Sequence, residues 1–69
     1  MIKNRLKEIR MKEYMMNKKE FAKVLSIVEQ QYLRYENGIN MPSLEICFKI
    51  SNTLSKKIDD IWYVENAPN

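Results

Sequence analysis

The chain has 69 residues and a mass of 8.3 kDa, which is the size of one small domain. Apolar residues make up 45% and charged residues 30%, a composition typical of globular proteins. Histidine is absent, and Cys47 and Gly38 are the only residues of their types. These counts exclude an internal disulfide, a histidine-based catalytic pair and a glycine-rich phosphate loop. The sequence therefore predicts neither an enzyme nor a protein with a metal site, a cofactor or a small-molecule ligand.

Charge is distributed unevenly along the chain. The net charge is +3, but residues 1–35 carry six Lys and three Arg against four Glu, a net +5, and residues 36–69 carry a net −2. A basic half in so small a chain indicates a surface that binds a polyanion, although a solvated lysine-rich surface has the same composition. Neither a signal peptide nor a membrane helix is predicted, and the lone Cys47 favours the cytoplasm.

The first two predicted helices are amphipathic. The first covers about Lys3 to Glu13, because apolar residues recur there at helical spacing between charged ones. Asn17 and Glu20 have the spacing of a capping box at the start of a second helix, about Lys18 to Leu25. The inward residues are expected to be Ile2, Leu6, Ile9 and Tyr14 or Met15 in the first helix, and Phe21, Ala22 and Leu25 in the second.

Three further helices are predicted after a tight, partly buried turn at 26–28. The third runs from about Glu29 to Glu36 and stops at Gly38, since glycine readily takes the left-handed conformation. Pro42 is suited to the first position of a fourth helix, and Asp59 to the start of a short fifth one. The expected inward residues are Tyr32, Tyr35, Leu44, Cys47 or Phe48, Ile50 or Ser51, Leu54, Ile58, Ile61 and Trp62.

Two short helices joined by a three-residue turn, at about 17–36, are the arrangement of a helix-turn-helix. Around it, the sequence resembles the Cro and phage-repressor type of helix-turn-helix protein, the Xre family. The segments that carry the resemblance are Asn4–Arg10, Glu20–Ala22, Tyr35–Gly38, Pro42–Glu45 and Ile58–Trp62. The resemblance implies an all-α fold over 1–69, a compact five-helix domain like that of lambda repressor, with the third helix in the DNA major groove.

The resemblance assigns base contacts to four residues of the third helix: Glu29, Gln30, Leu33 and Arg34. Their chemistry fits, because Arg34 can pair with guanine and Gln30 with adenine. Leu33 can contact a thymine methyl group, and Glu29 can accept a hydrogen bond from cytosine. The alternative is an ordinary solvated helix face, in which an exposed Leu33 would have no packing role.

Phosphate contacts are implied for Lys18 and Lys19 at the start of the second helix, and for Asn37 and Asn40 after the third. For the lysines, a merely solvated position remains open. Arg10 and Glu36 stand at positions where the family has a partly buried ion pair between the first helix and the end of the third. We interpret this pair as architecture rather than as DNA readout.

Several residues depart from the family pattern. Ser26 stands where the turn usually has a glycine or another small residue, and a left-handed backbone there costs roughly 1–2 kcal/mol. Val28 stands at the cap of the third helix and cannot cap it. The connection at 14–16 is one residue longer than usual.

The leading interpretation is a sequence-specific DNA-binding transcriptional regulator, a repressor of bacterial or phage type that acts on a palindromic operator. A protein-interaction module, such as an antitoxin or an accessory subunit, is the alternative. Such a module would need a segment to hold its partner, and none is apparent beyond the DNA-binding core, which favours the regulator.

A homodimer is expected, because one recognition helix reads too few base pairs to select a site. The expected interface consists of Ile61, which precedes the C-terminal tail 63–69, and of Tyr63 and Val64 within that tail. There a short strand would pair with its two-fold mate, while residues 66–69 fray. Alternatively, Tyr63 and Val64 fold back over the first helix of their own chain.

Overall fold

Residues 1–65, the part of the chain that the computed structural model describes, form five helices and two short strands. In chain order these are β1 (Ile2–Asn4), α1 (Leu6–Ile9), which continues as a π-helical turn (Arg10–Tyr14), α2 (Lys18–Val24), α3 (Glu29–Glu36), α4 (Leu44–Leu54), α5 (Ile58–Ile61) and β2 (Trp62–Val64). The predicted five-helix fold is therefore confirmed, with a two-stranded sheet as a minor addition. Within residues 1–65 the longest helix has eleven residues, and none could cross a bilayer. The fraying predicted for residues 66–69 concerns residues outside this description.

The first helix begins at Leu6, three residues later than the predicted start at Lys3. Asn4 explains the difference. Its side-chain oxygen accepts a hydrogen bond from the backbone N–H of Leu6 (3.0 Å), and its side-chain amide donates to the carbonyl oxygen of Tyr35 (2.9 Å). The local bond to Leu6 competes with helix formation, and the long-range bond to Tyr35 anchors Asn4 against the end of α3. The residues before Asn4 consequently form a strand.

The two strands pair within the chain, in an antiparallel sheet that places Ile2 opposite Val64. One edge of the C-terminal strand is therefore occupied by β1, so that only its other edge is left for the expected pairing with a two-fold mate. Ile61 is completely buried and belongs to the core, so its assignment to a dimer interface is wrong. The fold-back alternative agrees better with Tyr63 and Val64, although their backbone pairs with β1 rather than with the first helix. The guanidinium carbon of Arg5 lies 4.2 Å from the ring centroid of Tyr63 on the sheet.

The first helix ends in a π-helical turn, at the connection that the family resemblance makes one residue longer than usual. The helix stays helical through Tyr14 and ends at Met15, which has a left-handed φ of 51°. A π turn contains more residues than an α turn, so an insertion can be absorbed inside a helix. Tyr14 consequently packs edge-to-face on Phe21, with ring centroids 5.2 Å apart.

Helices α2 and α3 form the predicted helix-turn-helix. The capping box is present, since Asn17 Oδ1 accepts from the N–H of Glu20 (2.8 Å) and Glu20 Oε1 accepts from the N–H of Asn17 (3.0 Å). Ser26 adopts the left-handed conformation considered from the sequence, with φ 57°. The rings of Phe21 and Tyr32 lie edge-to-face across the two helices, with centroids 5.5 Å apart.

Helix α4 begins at Leu44 rather than at Pro42, because the hydroxyl of Ser43 caps it by accepting from the N–H of Ile46 (3.2 Å). The buried face of α4 consists of Cys47, Ile50, Ser51 and Leu54. Leu44 is offset from this stripe and is 69% exposed, so its predicted inward position is wrong. Phe48 is likewise exposed, which settles the alternative between Cys47 and Phe48 in favour of Cys47.

One apolar core joins the five helices and β2. Its buried members are Leu6, Ile9, Phe21, Ala22, Leu25, Tyr32, Tyr35, Cys47, Ile50, Leu54, Ile61 and Trp62. Helix α3 contributes Tyr32 and Tyr35, both from one side. The opposite side of α3 is therefore left at the surface of the molecule.

Candidate nucleic-acid interface

The outward face of α3 carries polar side chains in a fixed frame. Tyr32 and Tyr35 hold the helix from behind, while Glu29, Gln30 and Arg34 are exposed in front. Residues four apart share a face of a helix, so Gln30 and Arg34 project together, while Glu29 lies about 100° around the helix from Gln30. These are three of the four residues, with Leu33, to which the family resemblance assigns base contacts.

Leu33 differs from its expected environment. It was expected to be exposed without a packing role, but it is only partly exposed and packs against the core. The reason is its position on the edge of the buried stripe, next to Tyr32. Leu33 therefore gives no argument against the alternative that the outward side of α3 is an ordinary solvated helix face.

The start of α2 lies beside the start of α3. Asn17, Lys18, Lys19 and Glu29 line one open depression at the surface, with Arg10 at its floor. Both lysines are exposed, so their ammonium groups are available to an anion. The basic start of α2 and the first residue of α3 thus form one continuous surface.

Asn37 and Asn40 lie at the other end of α3, in an exposed turn. The carbonyl oxygen of Arg34 accepts hydrogen bonds from the N–H groups of Ile39 (2.9 Å) and Asn40 (3.2 Å). The turn needs Gly38 in the left-handed conformation, with φ 74°. Its backbone is therefore fixed, while the two asparagine side chains remain exposed.

A buried ion pair connects the first helix to the end of α3. Arg10 Nε lies 3.1 Å from Glu36 Oε2, and a second bond joins Arg10 Nη2 to Glu36 Oε1 at 3.2 Å. The side chains are only 8% and 3% exposed. Arg10 also donates to the carbonyl oxygen of Met16 (3.0 Å), and the hydroxyl of Tyr32 donates to Glu36. Such bidentate, fully partnered geometry is what a buried pair of charges requires.

The pKa values of Arg10 and Glu36 are shifted in the directions that keep both groups charged. Burial alone would raise the pKa of Glu36, but the hydrogen bonds from Arg10 and Tyr32 and the positive charge of Arg10 outweigh it and lower that pKa. The hydrogen bond to Glu36 raises the pKa of Arg10. Burial, together with the bond to Glu36, raises the pKa of the Tyr32 hydroxyl, which stays protonated as a donor.

The sequence model of a helix-turn-helix family matches residues 6–61. The chain belongs to the Cro/C1-type helix-turn-helix family, also called the Xre family. This is a family of DNA-binding regulators. A comparison with curated proteins found no match.

Within residues 1–65 of this Xre-family chain, three helix starts lack a side-chain capping bond: Arg5 before α1, Val28 before α3 and Lys57 before α5. Val28 is the apolar one of the three. It stands at the cap of α3, it makes no side-chain hydrogen bond there, and it is 73% exposed. Asn17 and Ser43 do cap their helices. The absence of a cap at Val28 agrees with the prediction from the sequence that this residue cannot cap α3.

Substitution of Glu36 by Gln tests the ion pair of this Xre-family fold. We expect Glu36→Gln to lower the free energy of unfolding by about 3 kcal/mol, because it leaves the Arg10 charge buried without a counter-charge. Wild-type stability should also fall as the pH drops from about 4.3, the ordinary pKa of glutamate, through the lower pKa of folded Glu36. Above that window Glu36 is ionised in both states and its contribution is complete. Urea unfolding at several pH values measures both effects.

The matched control is Glu8→Gln, which removes an exposed partner of Lys12 (3.7 Å) and should cost well under about 1 kcal/mol. The double variant Arg10→Met/Glu36→Met, which removes both charges, should recover much of the loss. Equal stabilities for Glu36→Gln and Glu8→Gln would contradict a structural role of the buried pair.

Proposed function

We propose that this chain binds a specific double-stranded DNA sequence as a small transcriptional repressor, with α3 in the major groove. The observation that carries the proposal is the outward face of α3, where Glu29, Gln30 and Arg34 are exposed on a helix that the core holds from behind. Base recognition needs side chains presented on a rigid element. The net charge of +5 on residues 1–35 supplies the attraction to phosphates.

Each exposed side chain of α3 has a chemical role in this proposal. Arg34 donates two hydrogen bonds to O6 and N7 of a guanine, and Gln30 pairs with N6 and N7 of an adenine. Glu29 accepts from the amino group of a cytosine. Leu33 contributes apolar contact only with the part of its side chain that the core leaves exposed.

The residues around this face position the protein on the DNA backbone. Lys18 and Lys19, beside Glu29, neutralise phosphates on one side of the groove. Asn37 and Asn40, in the turn after α3, donate hydrogen bonds to phosphates on the other side. Such contacts set affinity without sequence preference, so their loss should differ in kind from the loss of a base contact.

Selection from a random duplex pool tests the proposal directly. We expect the chain to enrich one consensus sequence. If it neutralises six phosphates, the logarithm of the binding constant should fall against the logarithm of salt concentration with a slope of about −5. Absence of an enriched sequence, or binding that does not change with salt, would contradict the proposed function.

Arg34→Ala and Lys18→Ala should weaken binding in different ways. Loss of Arg34 should cost about 1–3 kcal/mol on the selected duplex and relax the preference at one base pair. Loss of Lys18 should weaken all duplexes similarly and make the salt slope shallower by about 1. Lys7→Ala, on the exposed surface of the first helix, is the matched control and should leave both quantities unchanged. An equal loss of sequence preference in the Arg34 and Lys18 variants would show that the face is assigned wrongly.

The proposal includes a homodimer on a palindromic operator. One recognition helix reads only a few base pairs, and a two-fold dimer doubles the readout. It would place the two α3 helices about 34 Å apart, one turn of DNA. Such a dimer needs a surface that can contact its own copy.

Three exposed apolar residues provide that surface: Ile2, Met41 and Val64, hereafter the apolar sheet surface. Ile2 is 53%, Met41 51% and Val64 62% exposed. Ile2 lies opposite Val64 in the sheet, and Ile2 and Met41 line the same depression. A two-fold axis brings identical residues together, so an uncharged surface associates without repulsion between like charges. This surface keeps Val64 from the interface expected from the sequence and replaces Ile61 and Tyr63, since the Tyr63 side chain lies on the opposite face of the sheet against Arg5.

We expect the intact chain to sediment as a dimer at micromolar concentration, and Val64→Glu to sediment as a monomer. The substitution places two carboxylates near the two-fold axis, where they repel each other. Met11→Glu is the matched control, since Met11 is also about half exposed (54%) but lies on the first helix. A monomeric wild-type chain, or a dimeric Val64→Glu variant, would contradict this interface.

A further inference from the structure

The outer side of the first helix and one face of the two-stranded sheet border an open groove, hereafter the basic groove. Its lining residues include Arg5, Lys7, Glu8, Met11, Lys12 and Tyr63. Its volume is about 620 Å³, within the range of about 300–1,000 Å³ that ligand pockets occupy. Within residues 1–65, none of the residues that line it belongs to α2 or α3, so the basic groove is separate from the proposed DNA-binding surface.

Two apolar side chains from distant parts of the chain lie in the basic groove. Paired residues of an antiparallel sheet point to the same face, so Tyr63 lies with Lys3 on one face, while Ile2 and Val64 lie on the other. Tyr63 is 36% and Met11 54% exposed, and neither belongs to the core. Exposed apolar surface with a polar rim is typical of interaction sites. The two faces of the sheet therefore offer two different surfaces.

The rim of the basic groove is positively charged. Its three cations, Arg5, Lys7 and Lys12, stand against one carboxylate, that of Glu8, which leaves a net charge of +2. Glu8 is already paired with Lys12 (3.7 Å), and within residues 1–65 Lys7 makes no ion pair. All three cationic side chains are exposed. Arg5 and Lys7 are therefore available to the carboxylates of a ligand.

Arg5 is held in place before any ligand arrives. Its guanidinium carbon lies 4.2 Å from the ring centroid of Tyr63, and its Nη1 donates to the carbonyl oxygen of Asp60 (3.4 Å). A guanidinium has several N–H donors, so most of them are left for a carboxylate. Because the side chain is already ordered, binding costs less conformational entropy than at a freely rotating arginine. Arg5 and Tyr63 thus present a charge and an apolar surface side by side.

We propose that the basic groove binds an acidic peptide segment of another protein, in which carboxylates flank an apolar side chain. The carboxylates pair with Arg5 and Lys7, and the apolar side chain packs against Met11 and Tyr63. Charge complementarity selects this partner, because a second copy of the chain brings like charges together at the two rims. The backbone of a nucleic acid supplies negative charge but no apolar group for Met11. This binding does not depend on the proposed binding of DNA by α3.

Selection from a library of random displayed peptides, with the intact chain as bait, tests the proposal. We expect the enriched peptides to combine Asp or Glu with Leu, Ile, Phe or Trp. A synthetic copy of the most enriched peptide is then titrated against the chain. Replacement of its Asp and Glu residues by Asn and Gln should weaken binding about ten-fold, and so should replacement of its apolar residues by Ser. Binding of the unaltered peptide should also weaken as the salt concentration rises.

Met11→Glu locates the peptide in the basic groove. It removes an apolar contact and adds a carboxylate beside those of the peptide, so binding should weaken about ten-fold or more. Leu44→Glu is the matched control, since it makes the same change of charge at an exposed apolar residue of α4 and should keep the wild-type affinity. Lys7→Glu should weaken binding about three- to ten-fold, whereas Lys23→Glu on α2 should not. All four side chains are exposed, so each variant should fold, which circular dichroism checks.

A library that enriches no peptide overturns the proposal, and so does a peptide whose binding Met11→Glu and Leu44→Glu weaken equally. Inorganic polyphosphate, a polyanion without apolar groups, should displace the peptide only weakly. Displacement by polyphosphate as effective as that by the free peptide would show a general polyanion site instead. Met11→Glu should bind the DNA duplex selected by the wild-type chain with unchanged affinity, so that failure of peptide binding and failure of DNA binding are observed separately.

Discussion

The bidentate pair between Arg10 and Glu36 is the contact on which the placement of α3 depends. Two charges with exposed fractions of 8% and 3% are stable inside a protein only if each has the other. The pair therefore ties the π-helical turn of the first helix to the last residue of α3. The hydroxyl of Tyr32 donates to the same carboxylate from within α3, so that the helix is fixed in rotation as well as in position. Since base recognition depends on which side chains face outwards, this rotation is the quantity that the fold has to control.

The sheet adds a second restraint at the same end of the helix. The side-chain amide of Asn4 donates to the carbonyl of Tyr35, one residue before Glu36. Asn4 in turn is held by the pairing of β1 with β2, which closes the N-terminal segment on the C-terminal one. Both restraints act on the C-terminal half of α3 and from behind. The N-terminal half of α3 is positioned instead by the turn at Ser26 and by the contact of Phe21 with Tyr32.

Sequence patterns correctly predicted the structural features that depend on residues close together in the chain. The capping box of Asn17 and Glu20, the bounds of α3 and the left-handed glycine after it follow from short-range chemistry, and the structure has all three. The strand Ile2–Asn4 was missed because its partner lies about 60 residues away. Ile2 even had helical spacing to Leu6, so its periodicity pointed to the wrong element. Leu44 and Leu33 were misjudged for a related reason, since residues at the edge of a buried stripe turn inwards or outwards according to tertiary neighbours.

The candidate site shows the same division between local and tertiary information. Gln30 and Arg34 share one face by helical geometry alone, so their grouping was predictable, whereas Glu29, the first residue of α3, is exposed beside them on another side of the helix. Because none of the three belongs to the core, substitution there can alter base preference at little cost in stability. Leu33 does not have this freedom, since it packs against the core. The fold thus separates the residues that hold α3 from those that can vary its readout, and Leu33 is the position where the two requirements meet.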